Sequence, residues 1–262
     1  MIQFNFNRFG KLARWSLTND KRYYVKSFLQ IFVVLLLIFL FLTYVMVREG
    51  NDQRAYQTCC LTIMFMLGVT ITLGPSMMFY SMEGKHYKQA LMLLPASNLE
   101  KYLIRYASWI FLLPCYLLAF LGADVLQYVV NLILGHQHVA FVTSTLVNII
   151  SSSFAELPPK AFYVFLNSAI VVMVWFHSFY ALGATFFRSR KFNWVLTTIV
   201  AILLTMLQAW FYPYEEHVTF KEATMSDLLI ADIVAACWMM LNFWLSYKLF
   251  CRMQLKAKWV NI

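Results

Sequence analysis

Charged residues are scarce in this chain of 262 residues. Aspartate, glutamate, lysine and arginine together make up 13% of it, and hydrophobic residues make up 61%. A typical soluble domain is about 25% charged and about half apolar, so this composition excludes an ordinary soluble enzyme and a disordered chain. The five cysteines form no CxxC pair and have no zinc-ligand spacing to histidine, which excludes a disulfide scaffold and a zinc site. We interpret them as packing residues.

The signature motifs of several enzyme classes are also missing. The sequence contains no GxxxxGK[ST] nucleotide-binding loop, no HExxH metal motif and no GxSxG nucleophile elbow. Neither Glu215-Glu216-His217 nor the pair His136 and His138 has a further ligand at metal-binding spacing. We therefore predict that this chain is not an enzyme and has no catalytic residue, no metal site and no bound cofactor.

Long hydrophobic runs are abundant. A helix needs about 20 mostly apolar residues to cross the hydrocarbon core of a bilayer. Six stretches meet that length, near residues 27–47, 57–79, 107–130, 161–187, 192–212 and 228–250. They do not alternate as barrel strands do, and backbone groups in lipid must bond within their own segment. The sequence therefore predicts an all-α integral membrane protein, with six transmembrane helices in residues 27–250.

Lysine and arginine are unevenly distributed around these runs. Most of the 21 basic residues lie before the first run, in the loop 80–106, just after the fourth run, and near the C-terminus. Basic residues near a membrane stay on its cytoplasmic side, so both termini are predicted to be cytoplasmic. The net charge of +9 follows from this bias and from attraction to anionic lipids. No nucleic-acid partner is needed to explain it.

The two ends of the chain are predicted to lie outside the membrane core. On a helical wheel of residues 1–26, Phe6 and Leu12 fall on one side, and Arg8 and Lys11 fall on the other. This pattern predicts an amphipathic helix in the cytoplasmic interface, in contact with membrane lipids. A loosely ordered basic arm is the alternative. Residues 251–262 are predicted to form a basic cytoplasmic tail.

The loop 80–106 is the most informative segment. Residues 85–94 are predicted to form a short amphipathic helix, which Pro95 ends because proline disfavours helical geometry in the residue before it. Ser97 and Glu100 then form a capping-box pattern, in which each side chain accepts a hydrogen bond from the other's backbone amide. The loop is therefore predicted to be structured rather than irregular.

A second amphipathic helix is predicted after the capping box. Tyr102 and Tyr106 belong to an apolar stripe at helical spacing, and Lys101 and Arg105 form a separate basic strip. We expect these aromatic and basic groups to face the cytosol. A capped connector between two membrane helices, with basic residues that serve only topology, is the alternative interpretation.

An acidic residue, a short helix with a leucine-rich end, a proline, a small residue and a serine follow one another here. The residues are Glu83, the helix 85–94, Pro95, Ala96 and Ser97. This order resembles the first cytoplasmic loop of ABC transporter permeases of the type-2 exporter class. Six membrane helices, cytoplasmic termini and an N-terminal interfacial helix agree with that family.

The resemblance implies that the loop contains a coupling helix, which sits in a cleft of a separate ATP-binding cassette ATPase subunit. The chain would be the permease subunit of an exporter in the bacterial inner membrane, paired with a second copy or a homologous permease. ATP and Mg would bind to the partner ATPase. The coupling residues that the resemblance implies are Glu83, Lys85, Tyr87, Lys88, Leu94, Pro95, Ser97 and Glu100.

The sequence departs from the family at one place, because Tyr87 and Lys88 stand where the family often has a Gly-Thr pair.

A second function class is also open. The chain would then be a non-transporting assembly or regulatory subunit, with a basic cytoplasmic face as its docking surface. That class predicts no associated ATPase.

Three ionisable residues lie within the predicted membrane helices, namely Asp124, His177 and Asp232. Ionisable groups in lipid are costly and are therefore candidates for function, here a translocation path. Alternatively, the two aspartates bond to polar neighbours such as Gln127 and connect helices. For His177 we favour a hydrogen-bonded packing residue over a ligand.

Overall fold

The computed structural model describes residues 3–48, 52–81, 85–136, 139–156, 159–187, 192–211 and 225–252. All the regular structure in these ranges is helical, which confirms the all-α prediction. The α-helices are α1 (Phe6–Asn19), α2 (Lys21–Arg48), α3 (Asp52–Leu73), α4 (Lys85–Leu93), α5 (Asn98–Ala107), α6 (Leu112–Ile133), α7 (Val142–Glu156), α8 (Pro159–Phe186), α9 (Asn193–Phe211) and α10 (Met225–Cys251). A short 3₁₀ helix, Gly74–Met77, follows α3.

Within the described ranges, five helical segments are long and apolar enough to cross a membrane, which is compatible with a multi-pass membrane protein. They are Lys21–Val45, Gln53–Met77, Asn98–Ile133, Phe162–Phe186 and Leu228–Cys251. The third segment combines α5, a turn and α6. Helix α6 has 22 residues, or about 33 Å at 1.5 Å per residue, so it can cross the core without α5.

The fifth predicted run, 192–212, corresponds to α9, whose apolar part Asn193–Leu207 is shorter than the five segments above. The structure also contains an apolar helix that we did not predict. Helix α7 has 15 residues and lies where the sequence indicated a loop. Its length of about 22 Å is below what a crossing needs, and for that reason a length criterion misses it.

Prolines lie at the ends of two of the long apolar helices. Helix α3 stops at Leu73, and Pro75 lies in the 3₁₀ helix that follows. Pro114 lies in the first turn of α6, where its missing N–H leaves no hydrogen bond unmade. Both prolines therefore limit membrane helices without breaking them.

The chain forms two compact units. The second unit is Trp15–Thr70 with Ser108–Asn167, and its core lies between α2, α3, α6 and the start of α7. In that core the rings of Phe39 and Phe120 meet edge to face at 6.2 Å. Cys59 and Cys60 are buried and free, as predicted for packing residues. Cys237 and Cys251 are exposed, so the same prediction is wrong for them.

The first unit is Met1–Arg14, Ile71–Ala107 and Ser168–Ile262. Small buried residues on α8 allow α9 to approach closely. The tightest point is Gly183, where a Cβ atom would lie 2.1 Å from Oγ1 of Thr197. All of the predicted coupling residues that the structure describes belong to this unit, in α4, in α5 or in the turn between them.

Candidate functional site

We name residues 85–107 the α4–α5 hairpin. Helix α4 ends at Leu93 and α5 begins at Asn98, so Pro95 lies between them, as predicted. Both capping-box hydrogen bonds are present. The amide of Glu100 donates to Ser97 Oγ at 3.2 Å, and the amide of Ser97 donates to Glu100 Oε2 at 2.9 Å. These bonds satisfy two amides at the start of α5 that have no partner within the helix.

The turn of the hairpin exposes apolar side chains. Leu93 is 82% exposed and Leu99 is 40% exposed. Pro95 is also exposed, while Leu94 and Ser97 are half-buried. We name Leu93, Pro95 and Leu99 the apolar apex. The sequence did not single out Leu93, because helical spacing alone does not say which of two consecutive leucines faces outward at a helix end.

Helix α4 contains Lys85, Tyr87 and Lys88, whose side chains are outside the described part of the structure. Glu83 lies outside the described residues altogether. The helix predicted over residues 85–94 is present, and it ends one residue earlier than expected, at Leu93.

Glu100 points into the protein, and its side chain is 0% exposed. Each carboxylate oxygen accepts two hydrogen bonds. Oε1 accepts from the amide of Asn5 at 2.7 Å and from Arg8 Nη2 at 2.6 Å, and Oε2 accepts from Arg8 Nε at 2.8 Å and from the amide of Ser97. Glu100 therefore fixes the N-terminal segment to α5 and cannot itself reach a partner.

The hydrogen bonds from Arg8 and from these amides hold the pKa of Glu100 at about 2, below its ordinary value near 4.5. A carboxylate with a lowered pKa stabilises the fold at neutral pH, and that contribution is lost as the pH falls through its folded-state pKa. We expect hydrogen-exchange protection of the Asn5 amide to be constant from pH 8 to pH 5 and to disappear between about pH 4 and pH 2. Glu100→Gln should weaken the protection and remove the acid transition. A transition between pH 5 and pH 7 would contradict this assignment.

The prediction that Lys101 and Arg105 face the cytosol is wrong, because both side chains are buried. Lys101 Nζ donates to the Met92 carbonyl at 2.8 Å. Arg105 donates to the Met78 carbonyl through Nε at 3.1 Å and Nη2 at 2.8 Å, and Nη2 also donates to Ser81 Oγ at 2.6 Å. Carbonyls near helix C-termini lack partners within the helix and attract cations. The two side chains therefore cap helix ends within the chain.

Tyr102 connects the hairpin to α10 and α8. Its hydroxyl donates to Ser246 Oγ at 3.0 Å, and Ser246 Oγ in turn donates to the Ala181 carbonyl at 3.0 Å. The Tyr102 ring also meets Phe250 edge to face at 5.5 Å. Tyr102, Ser246 and Ala181 are all buried, so water cannot readily replace these bonds.

Tyr106 forms a second connection through His177, which is buried in α8. Nε2 of His177 lies 2.6 Å from the Tyr106 hydroxyl, and Nδ1 lies 2.6 Å from the Ile71 carbonyl. A carbonyl only accepts, so Nδ1 donates and Nε2 accepts from Tyr106. His177 is thus a hydrogen-bonded packing residue that connects α5 with the end of α3.

Asp124, in the second unit, binds the start of α7. Its Oδ1 accepts from the Val142 amide at 2.8 Å and from Gln127 Nε2 at 3.1 Å. Its Oδ2 accepts from the amide and the hydroxyl of Thr143 at 2.9 and 2.6 Å. The first amides of a helix lack partners and favour an anion. Asp124 therefore caps α7, and its bond to Gln127 is one that the sequence suggested.

Helix α7 begins beside the middle of α6. Asp124 lies nine residues before the last residue of α6, Ile133, which is about 14 Å along the helix axis. Asn131 extends the polar network toward the end of α6, where Nδ2 donates to Gln127 Oε1 at 2.8 Å and to Thr43 Oγ1 at 3.1 Å. If α6 crosses the membrane, α7 therefore starts within the hydrocarbon core.

The third intramembrane candidate, Asp232, is half-buried in α10. It belongs to the first unit, as His177 does, whereas Asp124 belongs to the second. Among the described residues, no three histidine, cysteine, aspartate or glutamate side chains come together as a possible metal site.

Comparisons of the chain with protein-family models, with curated proteins and with solved structures find no match. The function proposed below therefore depends on the residues and contacts of the chain itself.

Proposed function

We propose that this chain is the permease subunit of an ATP-driven exporter in the bacterial inner membrane. The α4–α5 hairpin would couple it to a separate ATP-binding cassette ATPase subunit. The observation that carries this proposal is an exposed apolar apex on a firmly anchored hairpin. Exposed apolar side chains outside the hydrocarbon core are candidates for a protein-interaction site. The anchoring by Glu100, Lys101 and Arg105 means that a partner bound at the apex would move the hairpin as one body.

The proposed topology has six membrane helices, with α9 as the fifth in chain order. Helix α9 has 19 residues, or about 28 Å, close to the core thickness of about 30 Å. The positive-inside rule supports cytoplasmic termini. The bonds from Asn5 and Arg8 to Glu100 support placing the start of α1 on the same side as the hairpin, in the cytoplasmic interface.

ATP and Mg would bind to the partner ATPase, because this chain has no GxxxxGK[ST] loop. Closure of two ATPase copies would bring together the hairpins of two permease subunits, either identical or homologous. The membrane helices would then change access from one side to the other. Asp124 and His177 receive structural roles here, and Asp232 is retained as the candidate residue of the translocation path.

We expect the double substitution Leu93→Glu with Pro95→Glu to reduce recovery of the ATPase at least tenfold. Buried apolar anchors at the centre of an interface often contribute about 2 kcal/mol or more, and about 1.4 kcal/mol corresponds to a tenfold change in affinity. The measurement is co-purification of the tagged full chain from native membranes in mild detergent. It is followed by assay of Mg-ATP hydrolysis in the eluate.

The matched control is Asn7→Glu, which adds an acidic group on an exposed position of α1 and should leave recovery unchanged. Undiminished ATPase recovery with the double variant would contradict the coupling role of the hairpin. Absence of an ATPase even with the unaltered chain would favour a non-transporting assembly or regulatory subunit. The burial of Lys101 and Arg105 counts against that alternative, because it removes two groups from its basic docking face.

A further inference from the structure

We propose that Tyr102 and Tyr106 are positioning residues that transmit movement of the α4–α5 hairpin to the membrane helices of the first unit. The inference rests on the proposed function of the hairpin as the ATPase-coupling element. It assigns the transmission to two hydroxyl groups, which can be removed one at a time.

Each tyrosine combines a hydrogen bond with ring packing, and the bond of Tyr102 is buried while that of Tyr106 is part-buried. Tyr102 binds Ser246 of α10 through its hydroxyl, and the Tyr106 hydroxyl binds His177 of α8. The Tyr106 ring meets Phe243 of α10 edge to face at 5.5 Å. An aromatic side chain has only two side-chain torsions, so each tyrosine is a short and stiff connection between α5 and its partner helix.

The other anchors of the hairpin act at different places. Lys101 and Arg105 bind carbonyls of Met92 and Met78, in α4 and in the segment just before it. The Lys101 bond preserves the internal shape of the hairpin, whereas the Arg105 bonds join the hairpin to the end of the preceding 3₁₀ helix. The tyrosines, by contrast, reach α8, α10 and, through His177, the Ile71 carbonyl of α3.

A buried hydrogen bond is costly to break when no water can replace it. A displacement of α5 therefore either carries Ser246 and His177 with it or leaves buried polar groups unpaired. Tyrosine-to-phenylalanine substitution keeps the ring and its packing and removes the hydroxyl group. The substitution therefore tests the hydroxyl's part in transmission while the packing of the ring is unchanged.

The chain contains a matched control in the same unit. Tyr180 is buried in α8, and its hydroxyl lies 2.8 Å from Thr198 Oγ1 of α9. Tyr180→Phe removes a hydroxyl from the contact between two membrane helices without touching α5. It should cost similar stability and leave transmission intact.

The test uses the full chain with its co-purified ATPase, reconstituted in lipid nanodiscs. Hydrogen exchange of α8 and α10 is measured with and without Mg-ATP and vanadate. We expect a nucleotide-dependent change in the unaltered complex and in Tyr180→Phe. In Tyr102→Phe with Tyr106→Phe this change should fall at least threefold, while ATPase recovery matches that of Tyr180→Phe and each single tyrosine variant has a melting temperature close to that of Tyr180→Phe. Ser246→Ala should reduce the change at α10 as Tyr102→Phe does, and combining the two should reduce it no further.

Four outcomes would overturn the inference: an undiminished change in the double tyrosine variant, an equal reduction in Tyr180→Phe, a loss of ATPase recovery, or no nucleotide-dependent change in the unaltered complex. Failure of the proposed function itself looks different, because the unaltered chain would then recover no ATPase.

Discussion

Gly183→Ala is expected to lower the free energy of unfolding by about 2–3 kcal/mol, the cost of overpacking a closely packed contact. A Cβ atom at this position would lie 2.1 Å from Oγ1, 2.6 Å from Cγ2 and 2.9 Å from Cβ of Thr197. Rotation of the threonine cannot relieve all three contacts, because its Cβ is fixed by the backbone of α9. The helices must therefore separate. Thermal unfolding in detergent, followed by tryptophan fluorescence, measures the effect.

Gly68→Ala in α3 is the matched control, since a Cβ there meets nothing within 4 Å. Alanine is the better helix former by about 1 kcal/mol, so this variant should be at least as stable as the unaltered chain. Thr197→Ala removes Oγ1 and Cγ2 and should partly rescue Gly183→Ala. Equal stability of the two glycine variants would show that α8 and α9 do not approach as closely as described.

Asp124→Ala is expected to lower the free energy of unfolding by about 2–4 kcal/mol, because it leaves the buried amide of Val142 and the part-buried amide of Thr143 without an acceptor. Asp124→Asn keeps one carbonyl oxygen and should cost about half as much, through loss of the charge at the helix N-terminus. Hydrogen exchange at the two amides reports the cap directly, and thermal unfolding reports its contribution to stability.

Ser144→Ala provides the comparison for Asp124→Ala. Ser144 is exposed in the same turn of α7, and its hydroxyl donates only to the Phe141 carbonyl at 2.8 Å. This change should shift stability by less than about 0.5 kcal/mol. Unchanged protection of Val142 and Thr143 in Asp124→Ala would exclude the cap. A loss of function in Asp124→Asn at unchanged stability would indicate that Asp124 belongs to the translocation path.

The predictions from sequence that the structure confirms depend on short-range features. The α4–α5 hairpin is one case, because Pro95 acts on the residue before it and the capping box joins Ser97 to Glu100 within one helical turn. The long apolar helices are another, because hydrophobicity summed over 20 residues does not depend on distant contacts. The same sum of hydrophobicity did not predict helix α7, because α7 is short and its first amide is capped by Asp124, 18 residues earlier in the chain.

The burial of Lys101 and Arg105 shows where such reasoning fails. A helical wheel separates their basic strip from the apolar stripe, and the usual inference places a basic strip in water. In the structure, the Met92 carbonyl instead accepts a hydrogen bond from Lys101, and the Met78 carbonyl accepts from Arg105. Whether a cation is exposed or caps a helix end depends on which helix ends lie nearby, and the wheel contains no information about them.

The sequence by itself determined that this chain is helical and apolar and that its α4–α5 hairpin turns at a proline. Each of these properties arises from the solubility of side chains or from interactions within one helical turn. Only the tertiary structure decided which groups of the hairpin face outward and which hold it in place. Tyr106 and His177 are 71 residues apart, and Tyr102 and Ser246 are 144 residues apart. Such pairs meet because whole helices pack together, and no local pattern encodes which hydroxyl finds which partner.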